Sequence, residues 1–162
     1  MKSYKNINDP QRSFVTAYVE KHSKKNHFFN EVKKLIDWKE IDRELKKVYT
    51  KGLSEKGAKA YNPLLLFRML LISEWYGLSD AQTETMVNDS LSAMKFCNLR
   101  IEDSIPGHST LGRFKRDLKE SGVCDNLLEM INRQLAAHQV KVRKGKAVVD
   151  ARLTKVRSKK KK

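Results

Sequence analysis

The chain has 162 residues, 34 Lys/Arg against 19 Asp/Glu and a formal net charge of +15. That length fits one domain, or one domain and the start of a second, and is enough to bury a real core. No apolar run approaches the roughly 20 residues of a membrane span, so the basic excess points to a polyanion, and above all to nucleic acid, rather than to a membrane.

The charge is unevenly placed. Residues 1–60 carry 15 Lys/Arg against 8 Asp/Glu, residues 61–140 carry 8 against 10, and residues 141–162 carry 11 against 1. The middle reads as packed core and the two ends as polyanion-facing surface. Three segments follow: a basic helical region (1–60), a helical middle (61–140), and a last segment (141–162) with a lysine-rich tail. Cys97 and Cys124 lie among apolar neighbours, with no CxxC and no Cys/His cluster. They are expected to be reduced packing residues of a cytoplasmic protein, and the first residues show no apolar signal-peptide core.

In chain order, Asp37 and Glu40 give a capping-box-like start to a helix carrying Trp38, Ile41, Leu45, Val48 and Tyr49. Lys51-Gly52 and Lys56-Gly57 mark a loop. Asn62-Pro63 then opens the strongest helix, with Asn at the N-cap and Pro where its missing N–H costs nothing. Leu64–Ile72 is apolar nearly all round, so this helix is expected to be central. It ends at Gly77. Ser79 and Gln82 form a capping box for a helix to about Asn88, and Asp89 is the expected cap of a third helix with Leu91, Met94 and Phe96.

Ile105-Pro106-Gly107 reads as a turn and Ser109 as the next N-cap. On the helix from Thr110 to Glu120, Leu111, Phe114 and Leu118 face inward. Arg113, Lys115, Arg116 and Lys119 fill the remainder. A major groove accepts one such helix, whose Arg and Lys side chains reach phosphates and guanine edges. His108, Ser109 and Thr110 lie at its N-terminus, where free N–H groups and hydroxyls suit a phosphate. The same spacing fits an ordinary surface helix whose cations contact water. Asp125 is the expected start of a last helix with Leu128, Ile131 and Leu135. His22, His27 and His138 read as surface residues, and Tyr61, Trp75 and Tyr76 as core rather than a base-stacking platform.

After Lys144-Gly145 the period changes to β, through Ala147, Val148, Val149 and Leu153. Asp150 interrupts this apolar run. A carboxylate buried there needs a metal, a partner charge or donors to offset its desolvation; the alternative is a strand-end Asp facing solvent. A lone strand has no sheet to pair with, so order from about residue 145 is expected only if another chain completes it.

Several stretches together carry a family resemblance. They are Asp37-Trp38 with its helix, Tyr61-Asn-Pro-Leu-Leu-Leu66, Tyr76-Gly-Leu-Ser-Asp80, Leu91–Phe96, Ile105-Pro-Gly-His-Ser-Thr-Leu-Gly-Arg-Phe114 and Val148-Val-Asp-Ala151. In this order and spacing the chain resembles, from about residue 30 onward, the N-terminal half of an IS-five-type insertion-sequence transposase. The resemblance implies a mainly α fold: a helical bundle with a helix-turn-helix-like DNA-binding segment, followed by the first β-strand of a truncated RNase H-like domain. In that family three carboxylates hold two divalent ions (Mg2+ in a complete transposase) for in-line attack at a phosphodiester. Asp150 matches the first of them, both as catalytic residue and as metal ligand. Arg152 stands where the family carries Thr, a cation beside the expected metal site. The resemblance gives this chain no second or third carboxylate, so it is expected to bind DNA without cutting it and to hold no cofactor by itself. The expected partners are double-stranded DNA at the element's terminal inverted repeats and a second copy or a full-length transposase. The setting is the cytoplasm, at the bacterial nucleoid, with no membrane. A free-standing DNA-binding repressor and an oligomerisation module remain as alternatives.

Overall fold

The computed structural model describes residues 27–50, 59–145 and 152–155, together with Phe14, Ala17 and Tyr18. Asp150, the run Ala147–Val149, the Lys51–Gly57 loop and the lysine tail beyond Lys155 lie outside the described residues. The elements are α1 (His27–Leu35), α2 (Trp38–Val48), α3 (Pro63–Tyr76), α4 (Asp80–Asp89), α5 (Leu91–Phe96), α6 (His108–Glu120) and α7 (Val123–Ala137), then β1 (Val140–Arg143) and β2 (Arg152–Lys155). The fold is mainly helical with one small two-stranded sheet. No helix among the described residues is long and apolar enough to cross a membrane.

Helix α3 is the axis, as its composition demands: 12 of its 14 residues are buried. Its ends are set locally. Asn62 accepts the Leu64 N–H at 2.7 Å, Pro63 occupies the first turn, and Gly77 closes the helix in the left-handed region at φ 61°, where a side chain is penalised. Helices α2, α4 and α6 pack around it, while α1 lies against α5, α7 and β2. Phe28, Phe29, Val32, Ile41 and Leu45 belong to the same core as α3, so the basic first region contributes two helices to the central bundle.

An aromatic cluster locks α1, α2, α3 and α5 together. Phe96 stacks on Phe29 with ring centroids 5.0 Å apart and meets Trp38 and Trp75, each at 5.7 Å. Arg68 sits in this apolar setting, only 3 % exposed. Its guanidinium lies 4.3 Å from the Trp38 ring centroid and donates to the Phe96 carbonyl at 3.1 Å, so a cation meets the negative end of α5. Burial pushes its pKa down to about 10, which leaves it charged at neutral pH. Lys33 adds a second cation on the Lys95 carbonyl at 3.0 Å.

Several expected boundaries move, each for an identifiable reason. The Ser79–Gln82 capping box forms in full. Helix α5 is capped by Ser90, which accepts the Ala93 N–H at 3.2 Å, and Asp89 instead ends α4. Asp37 accepts from the Lys39 and Glu40 amides, but the reciprocal arm is replaced from a distance. Gln134 of α7 takes the Asp37 N–H at 2.7 Å and donates to Glu40 at 2.9 Å. Helix α6 begins at His108, its cap position at Gly107 lying two residues before the expected Ser109, with no side-chain cap of its own. Helix α7 begins at Val123 rather than Asp125, because Gly122 at φ 73° turns the chain straight from one helix into the next.

The sheet corrects a further expectation. Residues Arg152–Lys155 do have a partner within the chain: they pair antiparallel with Val140–Arg143, in the register Val140↔Lys155 to Arg143↔Arg152. The four-residue alternation Val-Lys-Val-Arg is too short to announce a strand against the helix before it. Both cysteines are free thiols, Cys97 buried and Cys124 half-buried. Burial pushes the Cys97 thiol up to about 12, so it remains protonated and unreactive in the folded chain.

Candidate nucleic-acid interface

The helix singled out by the sequence, α6, exists and buries Leu111, Phe114 and Leu118. These three positions fix its rotation. The opposite side then carries Ser109, Arg113, Arg116 and Glu120, all exposed. Arg113 turns back along the helix, its Nε donating to the Ser109 carbonyl at 3.3 Å. Among the described residues, Arg116 makes only a long 3.7 Å contact with Asp117, and it is 63 % exposed. Lys119 is exposed on the flank, and Thr110 is half-buried.

Two of the expected DNA-facing residues are engaged inside the fold. Lys115 points toward α3 and α4, donating to Asp80 at 2.6 Å and to the Ser73 hydroxyl at 2.7 Å. Ser73 in turn donates to the Leu78 carbonyl at 2.9 Å. His108 is tied to Glu84 of α4: one carboxylate oxygen lies 2.7 Å from both the His108 backbone N and its Nδ1. The position expected for a phosphate at the α6 N-terminus is thus held in part by a carboxylate of the same chain, which explains why α6 needs no side-chain cap. These hydrogen bonds hold the Glu84 carboxyl below its ordinary range, the backbone N–H contributing most.

The network is invisible in the sequence because its partners are far apart; Lys115 and Asp80 are separated by 35 positions. Gly112 belongs to it too. A Cβ there would lie 3.1 Å from Asp80 Oδ2, pressing on the carboxylate that holds Lys115. The Tyr76–Asp80 and Ile105–Phe114 motifs therefore meet in space, and Tyr61 joins them through a 3.3 Å contact with Ser104, just before α6. What unites these motifs is the docking of α6 onto α3 and α4.

Two predictions follow from this geometry. Lys115→Met is expected to lower stability by about 1–2 kcal/mol, the scale of a partly exposed charged hydrogen-bonded pair; thermal and urea unfolding measure it. Glu84→Gln removes a carboxylate whose folded pKa is depressed. Its stabilising effect is fully present above the unfolded value of about 4.3 and fades as pH falls through the lower folded value. The Tm difference between wild type and variant should therefore be constant near neutrality and shrink as pH falls below the unfolded value. A difference that does not shrink on acidification would show that the charge is not its origin.

Among the described residues, no three His, Cys, Asp or Glu side chains converge as a metal site. They contain no donor set that fits a pair of divalent ions, and no metal-dependent step is assigned to them. Asp150 lies outside the described residues.

The motif residues Asp80, His108 and Gly112 thus serve the docking of α6 onto α3 and α4, and leave Arg113 and Arg116 on its exposed side. The chain belongs to the transposase-domain family: the family model described as Transposase domain (DUF772) matches residues 17–117, from before α1 through most of α6. No solved structure matches the chain.

Proposed function

We propose that this transposase-family chain is the DNA-binding portion of an IS-five-type transposase, a DDE enzyme with an RNase H-like catalytic domain. In this reading α4 to α6 act as a helix-turn-helix-like unit and α6 lies in the major groove at the element's terminal inverted repeats. The observation that carries it is the outward side of α6. Arg113 and Arg116 stand exposed there, one helical turn apart, on a helix whose orientation is fixed by Lys115–Asp80 and His108–Glu84. Groove-reading helices need that combination of free cationic tips on a rigid support. Ser109, released from capping, adds a hydroxyl donor beside them.

Asp150 is then the first metal-binding carboxylate of the complete enzyme, and the role of this chain is to locate and hold the DNA ends in the cytoplasm, at the nucleoid. The test is binding of the chain to a duplex carrying a terminal repeat and to a scrambled duplex of equal length, at fixed salt. Specific binding at about 10−8 M or tighter is expected against roughly 10−4–10−6 M for the scrambled duplex. Equal affinity for both duplexes would remove sequence recognition from the reading. No binding to either would remove DNA binding.

A further inference from the structure

The last turn of α3 holds two parts of the chain that sequence keeps apart. Ser73 accepts Lys115 of α6 at 2.7 Å. Its neighbour Glu74 pairs with Lys144 at 3.8 Å, and the next carbonyl, that of Trp75, accepts the Gly145 N–H at 2.8 Å. Lys144 and Gly145 follow β1 directly. At about 1.5 Å rise per residue, the anchors of α6 and of the β1–β2 ribbon lie within roughly 3 Å along the α3 axis. The ribbon and α6 are both tied to this end of α3, although the ribbon itself packs on α7 and α1.

The ribbon is two-faced. Val140 and Val142 are half-buried and packed on the core together with Leu153, while Lys141 and Arg143 between them are exposed. The pleat separates the two exposed cations by about 6.7 Å on the same side. Neither makes an ion pair or a side-chain hydrogen bond with another described residue. They sit in the segment where Lys/Arg outnumber Asp/Glu 11 to 1. Two cations without a partner among the described residues, on a ribbon packed against α7 and tied to the last turn of α3, form a basic surface that suits a polyanion.

We infer that the β1–β2 ribbon is a second DNA contact, placing Lys141 and Arg143 on the phosphate backbone beside the groove that α6 occupies. This rests on the DNA-binding reading of α6. The contact is sequence-independent, since it is made to phosphates, which carry no sequence information. It supplies affinity and salt dependence, leaving sequence choice to α6.

The experiment measures log Kobs against log[salt] for the full chain on a random-sequence duplex. Lys141→Thr/Arg143→Thr keeps strand propensity and removes both charges. Each lost phosphate contact lowers the slope by about 0.9, so the slope is expected to fall by nearly two, with an equal affinity loss on every duplex. The charge-preserving Lys141→Arg/Arg143→Lys is expected to keep the wild-type slope. Lys39→Thr/Arg43→Thr, which removes two exposed cations from α2, is expected to leave it nearly unchanged. An unchanged slope in the ribbon variant, or an equal fall in the α2 variant, overturns the ribbon contact while the α6 reading stands. A wild-type chain that binds no duplex overturns both.

Discussion

Phe96→Ala is expected to cost about 3–5 kcal/mol of stability, the scale of a buried Phe truncation. Phe96 is 1 % exposed and touches the rings of Phe29, Trp38 and Trp75 from three other helices. Its own helix, α5, has six residues, far too few to persist alone. That helix survives because Ser90 caps its start, Arg68 and Lys33 bond its last carbonyls, and Phe96 ties it to the core. Truncation opens a cavity beside Arg68, a cation that burial already penalises. Against a typical total of 5–15 kcal/mol, the variant should be marginally folded, with a urea midpoint well below wild type and an unchanged slope. A loss below about 1.5 kcal/mol would mean that the cluster collapses around the gap and that α5 is held mainly by its polar caps.

Alanine at Arg113 and at Arg116 is expected to give the largest functional effect. If each makes a base contact, each loss is about 1–3 kcal/mol and falls on the terminal-repeat duplex far more than on a scrambled one. Both side chains are exposed, so folding should be nearly unaffected. Uniform loss on all sequences would make them phosphate contacts, and no loss would move the interface off α6. Lys115→Met separates the alternatives further. Lys115 is bonded to Asp80 and Ser73, so its replacement should cost stability without changing the salt slope of DNA binding. A slope that fell by about one would show that Lys115 leaves Asp80 to meet a phosphate.

The clearest local signals in the chain describe bonds that are also local. Asn62-Pro63 and Gly77 delimit α3 because an N-cap, a first-turn proline and a left-handed glycine act within one turn. The Ser79–Gln82 box behaves the same way, and the spacing of Leu111, Phe114 and Leu118 gives the buried side of α6. Two cap bonds depend on distant partners, whereas the shifts from Asp89 to Ser90 and from Asp125 to Gly122 are local. Glu84 from another helix substitutes for Ser109, and Gln134 completes the Asp37 cap across 97 positions. A propensity for capping says that a bond is needed; it does not say who supplies it.

The candidate surface divides along the same line. Sequence alone determined the helical class, the central helix, the excess of cations on α6 and the motifs that resemble a transposase. Charge counting, however, treats every Lys and Arg on a helix as equal. Tertiary structure decided which of them face outward, because α6 can dock only with Leu111, Phe114 and Leu118 on the core, and that rotation carries Lys115 onto Asp80 while leaving Arg113 and Arg116 in solvent. It also decided that Val140–Arg143 is a strand, since four alternating residues become a strand only when Arg152–Lys155 supplies the hydrogen bonds and the core receives Val140 and Val142. Helix periodicity is written in neighbours along the chain, whereas the pairing of a charge or a strand depends on partners that only the folded packing brings within reach.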